Sequence, residues 1–104
     1  MSASCSASVE IINRLGLHAR PAAHFVRLAA QFSSDIYVSR DSVEVNGKSI
    51  MGVMMLAAEK GAKIDIRAEG EDAEQAVEQL VALIGRGFDE DDEGRPVREN
   101  EGTR

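Results

Sequence analysis

The chain has 104 residues, a formal net charge of −6 and 4% aromatic residues, which suits one domain around one small aliphatic core. Residues 1–87 carry a net charge of only −2 and residues 88–104 carry −4, so the folded part is near neutral and nothing suggests nucleic-acid binding. The single Cys5 excludes an internal disulfide and reads as a free surface thiol. With no basic-then-apolar leader and no apolar run able to span a bilayer, a soluble cytoplasmic protein is expected.

Taken in order, the chain first alternates from Ala7 to Ile12, with Ala7, Val9 and Ile11 on one face, and predicts a half-buried strand. Ala22, Phe25, Val26, Ala29 and Phe32 then recur at helical spacing and predict a helix over 19–32. Ile36 and Val38 mark a second strand, Arg40-Asp41 a turn, and Val43 and Val45 a third strand closed by Asn46-Gly47. A short helix follows over 49–58, with Gly61 as its left-handed cap. Ile64, Ile66 and Ala68 alternate with Asp65, Arg67 and Glu69 in a fourth strand. Asp72 and Gln75 have the spacing of a capping box before a long helix that Gly85 stops, with Ala76, Val77, Leu80, Leu83 and Ile84 on its buried face.

Each strand has one apolar and one polar face, whereas a parallel sheet covered on both sides shows continuous apolar runs. The order βαββαβα therefore predicts an α+β open-faced sandwich, a four-stranded antiparallel sheet with three helices on one face. After Phe88 the block Asp89-Glu90-Asp91-Asp92-Glu93 opens a polar stretch too poor in apolar surface to offset its ordering entropy. The expected organisation is a domain over 1–88 and an acidic disordered tail over 89–104.

Chemistry concentrates at Gly16-Leu17-His18-Ala19-Arg20-Pro21-Ala22, where a glycine turn ends a strand and an imidazole stands at a helix start. Proline is tolerated there because first-turn amides have no intrahelical acceptor. Those amides and the helix dipole favour a phosphate by roughly 0.3–1 kcal/mol. Arg20 is placed to add charge-assisted hydrogen bonds to phosphate oxygens. The positive end disfavours imidazolium, so His18 is expected to act as a neutral nucleophile near pH 7. His24, six positions on, reads as an exposed helix residue. Two histidines on different helix faces without a completing thiolate or carboxylate do not make a metal site, and no nucleophile elbow for a serine hydrolase appears.

The second unusual stretch is Lys48-Ser49-Ile50-Met51-Gly52-Val53-Met54-Met55-Leu56. Capping alone explains Ser49, and a phosphoserine also fits a helix start. Met51, Met54 and Met55 cannot all turn inward on so few turns, so the helix is expected to present a flexible apolar docking patch.

The run from Gly16 to Ala22 resembles the phosphorylation-site signature of the histidine-containing phosphocarrier (HPr) family of the bacterial phosphotransferase system. Lys48–Met54 resembles that family's regulatory-serine segment, and the 31 positions between His18 and Ser49 match its spacing. The resemblance covers about residues 4–88 and implies a stoichiometric phosphoryl carrier, neither an independent enzyme nor a cofactor-dependent one. In it, His18 takes phosphate on Nδ1 from enzyme I and passes it to a histidine of an EIIA-type protein. Arg20 steadies the phosphate. Ser49 is the target of an ATP-dependent HPr kinase/phosphorylase, and Ile50, Met51 and Met54 contact partners. A regulatory binding module controlled at Ser49, with little carrier flux, is the alternative. Asn13-Arg14-Leu15-Gly16-Leu17-His18 and Gly87-Phe88-Asp89-Glu90-Asp91 look more like the nitrogen-related branch (NPr). A monomer without membrane or nucleic-acid partners is implied.

Overall fold

Small and β-branched residues alternating with serines form β1, Ser4–Glu10, in the structure, a computed structural model that describes residues 3–91 and residue 95. β1 starts three residues before the expected strand and ends two sooner, because its length is set by its neighbour. That neighbour, β4 (Lys63–Glu69), pairs with all of it, from Ser4 opposite Glu69 to Glu10 opposite Lys63. Cys5, Ala7 and Val9 face inward, so Cys5 is half-buried against the core and not a surface thiol. Ile11 leaves the ladder but stays fully buried, its backbone bonded to Gly61 and Ala62.

β2 (Asp35–Arg40) lies between β4 and the edge strand β3 (Val43–Asn46), giving the order β1-β4-β2-β3 with every pairing antiparallel. Ile36, Val38, Ile64, Ile66 and Ala68 are buried on one face. On the other, Arg67 stacks over the Tyr37 ring at 4.2 Å and pairs with Glu44. Helices α1 (Ala19–Ala29), α2 (Ile50–Met55) and α3 (Ala73–Gly85) complete the expected open-faced α+β sandwich. Phe25 of α1 and Leu80, Leu83 and Ile84 of α3 are buried in the one hydrophobic core they share with the inner sheet face, and that burial stabilises the fold.

Three local expectations change. α1 ends at Ala29 because the next bonds tighten to Gln31 N–H on Leu28 and Phe32 N–H on Ala29, although Phe32 is buried as its spacing requires. α2 is ended by Ala57, left-handed at φ 49°, while Gly61 lies in the turn bonded to Ile11. Asp72 stands at the N-cap of α3 but does not cap it. Its carboxylate instead accepts from the Ser33 and Ser34 amides at 2.8 and 2.9 Å and from the Ser34 hydroxyl, stapling the α1–β2 loop to α3. These bonds, the Ser34 hydroxyl first and the Ser33 amide next, hold the Asp72 carboxyl down at about 2.

Candidate functional site

The loop from Ile11 to α1 is shaped by two close approaches. Gly16 has φ +68°, and a Cβ there would lie 2.5 Å from the Ala58 carbonyl oxygen, so no other residue fits without displacing backbone. Leu17 N–H donates to that same oxygen at 2.8 Å. His18 follows as the N-cap of α1, its carbonyl accepting from Ala22 N–H at 3.0 Å while its side chain makes no cap bond. The imidazole is thereby left to other work.

What meets it is a carboxylate. Glu90 Oε2 lies 3.0 Å from His18 Nε2, with Oε1 at 3.3 Å. The His18 side chain is 33% exposed and that of Glu90 only 2%. Asn13, itself buried, donates from Nδ2 to Glu90 Oε1 at 3.0 Å and to the Gly16 carbonyl at 2.8 Å. Its Oδ1 is buried with no partner among the described residues. Since a carboxylate only accepts, Nε2 is the ring nitrogen that carries the hydrogen in this contact. Nδ1 has no hydrogen-bond partner among the described residues.

Glu90 arrives through a left-handed run after α3, with φ +66° at Gly87, +58° at Phe88 and +58° at Asp89. Phe88 is buried and anchors the turn over Gly87–Asp89. Non-glycine residues in this region are uncommon and cluster at functional sites. The packed unit therefore runs past the boundary expected at Phe88, and Glu90 belongs to the site. Residues 92–94 and 96–104 of the expected tail lie outside the described residues.

Arg20 is exposed on the first turn of α1 and lines an open groove of about 490 Å³. Arg20, Pro21, His24 and Arg27 form one wall and Phe88, Asp89 and Glu90 the other. His24 is thus half-buried in this groove and not the exposed helix residue expected, because the Phe88 turn packs beside it. Ser49 caps α2, its hydroxyl accepting from Gly52 N–H at 3.0 Å. Lys48 Nζ donates to the Phe32 carbonyl at 2.8 Å and ties this start to the end of α1. Only Val53 of α2 is buried; Ile50, Met51, Met54 and Met55 are exposed, Met51 and Met55 by 76% and 72%. The exposed apolar patch read from the sequence at Met51, Met54 and Met55 is present, and Ile50 adjoins it.

Sequence reasoning missed Glu90 and Asn13. Glu90 is hidden in an acidic run, and the only signal was the apolar Phe88 set between a glycine and that run. Asn13, three positions before Gly16, has the spacing of a side chain that satisfies a turn. Among the described residues no group of three His, Cys, Asp or Glu side chains is placed to hold a metal ion, and no helix is long and apolar enough to cross a membrane.

Residues 5–86 match the family model described as the PTS HPr component phosphorylation site. The phosphocarrier protein HPr of Neisseria meningitidis serogroup A is 49% identical over 83 residues, covering 80% of this chain and 93% of that protein. The crystal structure of HPr-C-His from Thermoanaerobacter tengcongensis superposes with a TM-score of 0.81 at 48% identity, covering 84% and 98% of the two chains. The catabolite-repression protein Crh of Bacillus subtilis, solved as a swapped dimer, gives 0.66 at 44% identity, with 76% and 91% covered. The chain belongs to the HPr family of the phosphotransferase system, whose members are phosphocarriers and not independent catalysts.

Proposed function

We propose that this chain carries a phosphoryl group on His18 Nδ1, taking it from phospho-enzyme I and giving it to a histidine of an EIIA-type protein. The observation that carries the reading is the Glu90–His18 contact, which fixes the proton on Nε2 and leaves the opposite nitrogen as the nucleophile. In the accepting step the Nδ1 lone pair forms the new N–P bond as the N–P bond on enzyme I breaks, and no proton has to leave the ring. The donating step reverses this on the acceptor histidine. Catalysis of such a transfer rests on positioning and on charge stabilisation of the moving group. Arg20, at the same groove as Glu90, supplies the guanidinium for the phosphate oxygens.

Ser49 is proposed as a second phosphorylation site, for an ATP-dependent HPr kinase/phosphorylase, with Ile50, Met51 and Met54 as the partner-contacting surface. A phosphate on the cap oxygen suits the amide end of α2 and adds negative charge beside that patch. The regulatory reading, in which Ser49 matters more than carrier flux, is favoured by the likeness to Crh. The segments Asn13–His18 and Gly87–Asp91 are what support placement in the nitrogen-related branch. A cytoplasmic monomer is the proposed working form, and light scattering at working concentration decides between it and a dimer like that of Crh.

The test is incubation with enzyme I and labelled phosphoenolpyruvate. Wild type acquires an acid-labile, alkali-stable label, and His18→Ala acquires none. An unlabelled wild type that is still labelled on Ser49 by kinase and ATP reverses the order of the two readings.

A further inference from the structure

We propose that Arg40 is a positioning residue that fixes the docking helix α2 against the His18 loop, an inference that rests on the carrier reading above. α2 has six residues, too few to hold a helix alone; its Val53 and Met54 carbonyls accept from the Leu56 and Ala57 amides, and the next two carbonyls, those of Leu56 and Ala57, are left to other donors. Arg40, at the end of β2, supplies these. Its Nη1 donates to the Ala57 carbonyl at 2.8 Å and the Leu56 carbonyl at 3.2 Å, while Nη2 pairs with Glu59 at 2.8 Å. A cation at this end also complements the helix dipole. Ala57 sits between, held in a left-handed conformation that alanine adopts reluctantly.

The next residue joins the clamp to the site. The Ala58 oxygen accepts from Leu17 N–H and stands 2.5 Å from where a Gly16 Cβ would be, so the contact has no slack. A bonded path therefore runs from Arg40 through Ala57 and Ala58 to Leu17, whose neighbour is His18. Lys48 and Ser49 pin the other end of α2. Arg40 bonds to neither His18 nor the exposed methionines among the described residues, but it sets the distance between them. A partner that grips α2 then finds the imidazole at a fixed offset.

Three variants test this: Arg40→Ala, Arg40→Lys and Glu59→Ala. In the unphosphorylated protein, Arg40→Ala shifts the Leu17 and His18 amide resonances and speeds exchange of Leu17 N–H. Arg40→Lys, which keeps the charge and a donor, restores most of this, and Glu59→Ala leaves both resonances in place. With enzyme I as donor, Arg40→Ala raises KM for this chain roughly five- to tenfold at unchanged kcat, because a loosened α2 has to be ordered again as it docks. A folded Arg40→Ala with Leu17 and His18 unmoved, or with KM unchanged, overturns the proposal. If Arg40→Ala does not fold, Arg40→Gln, which keeps one amide donor, carries the same comparison. An unlabelled wild type defeats the carrier reading alone, and the amide resonances still decide on Arg40.

Discussion

Glu90 and Asn13 turn an exposed histidine into an oriented one. One hydrogen bond from a buried amide holds the carboxylate, and the carboxylate holds the ring, so the proposed phosphoryl acceptor is positioned by two other side chains. Glu90→Ala is expected to slow transfer from enzyme I by about tenfold or more, since loss of orientation alone costs on that order. Glu90→Gln, whose amide oxygen still accepts from Nε2–H through a weaker neutral bond, falls between the two. Single-turnover transfer rates check both, and equal rates for all three proteins would remove Glu90 from the site. Arg20→Ala leaves the fold intact and slows transfer on a similar scale, about tenfold. At this scale the sequence was half legible. His18, Arg20 and Ser49 stand in contiguous motifs with a local reason for each residue. Glu90 is 72 positions from His18 and meets it only through a tertiary turn, which no local spacing encodes.

Among the elements, the caps show where local rules compete. Ser49 does what its position predicts, and Ser49→Ala is expected to cost about 1 kcal/mol of stability, read as a lower melting temperature, whether or not a kinase is present. Asp72 does not, because the Ser33 and Ser34 amides offer its carboxylate more donors than its own helix does. Its depressed carboxyl gives a pH signature. The stability from these bonds is full above the ordinary aspartate range and is lost as pH falls from about 4 towards about 2. Urea midpoints measured across that window should drop in wild type and change less in Asp72→Asn; parallel curves would assign the acid sensitivity elsewhere. Boundaries of β1, α1 and α2 shifted for a related reason. Strand length follows the partner strand, and helix ends follow tertiary bonds such as those of Arg40, none of which periodicity records.

For the whole molecule, one-faced strands and the amphipathic helices α1 and α3 were enough to read the layer arrangement, because elements with one apolar face have few ways to bury it. Composition misled only at the C-terminal end of the domain, where the acidic run begins before packing stops. A chain ending at Phe88 should therefore fold but transfer phosphate slowly, whereas one ending at Asp91 keeps the Glu90 contact and the faster rate. Equal rates in the two truncations would mean the left-handed turn has no part in the chemistry.

Nitrogen-15 NMR of the His18 ring, before and after charging by enzyme I and phosphoenolpyruvate, tests the central claim most directly. Protonation at Nε2 in the free protein and phosphate bonded to Nδ1 in the charged one is the predicted result. A proton resident on Nδ1, or phosphate on Nε2, would contradict it.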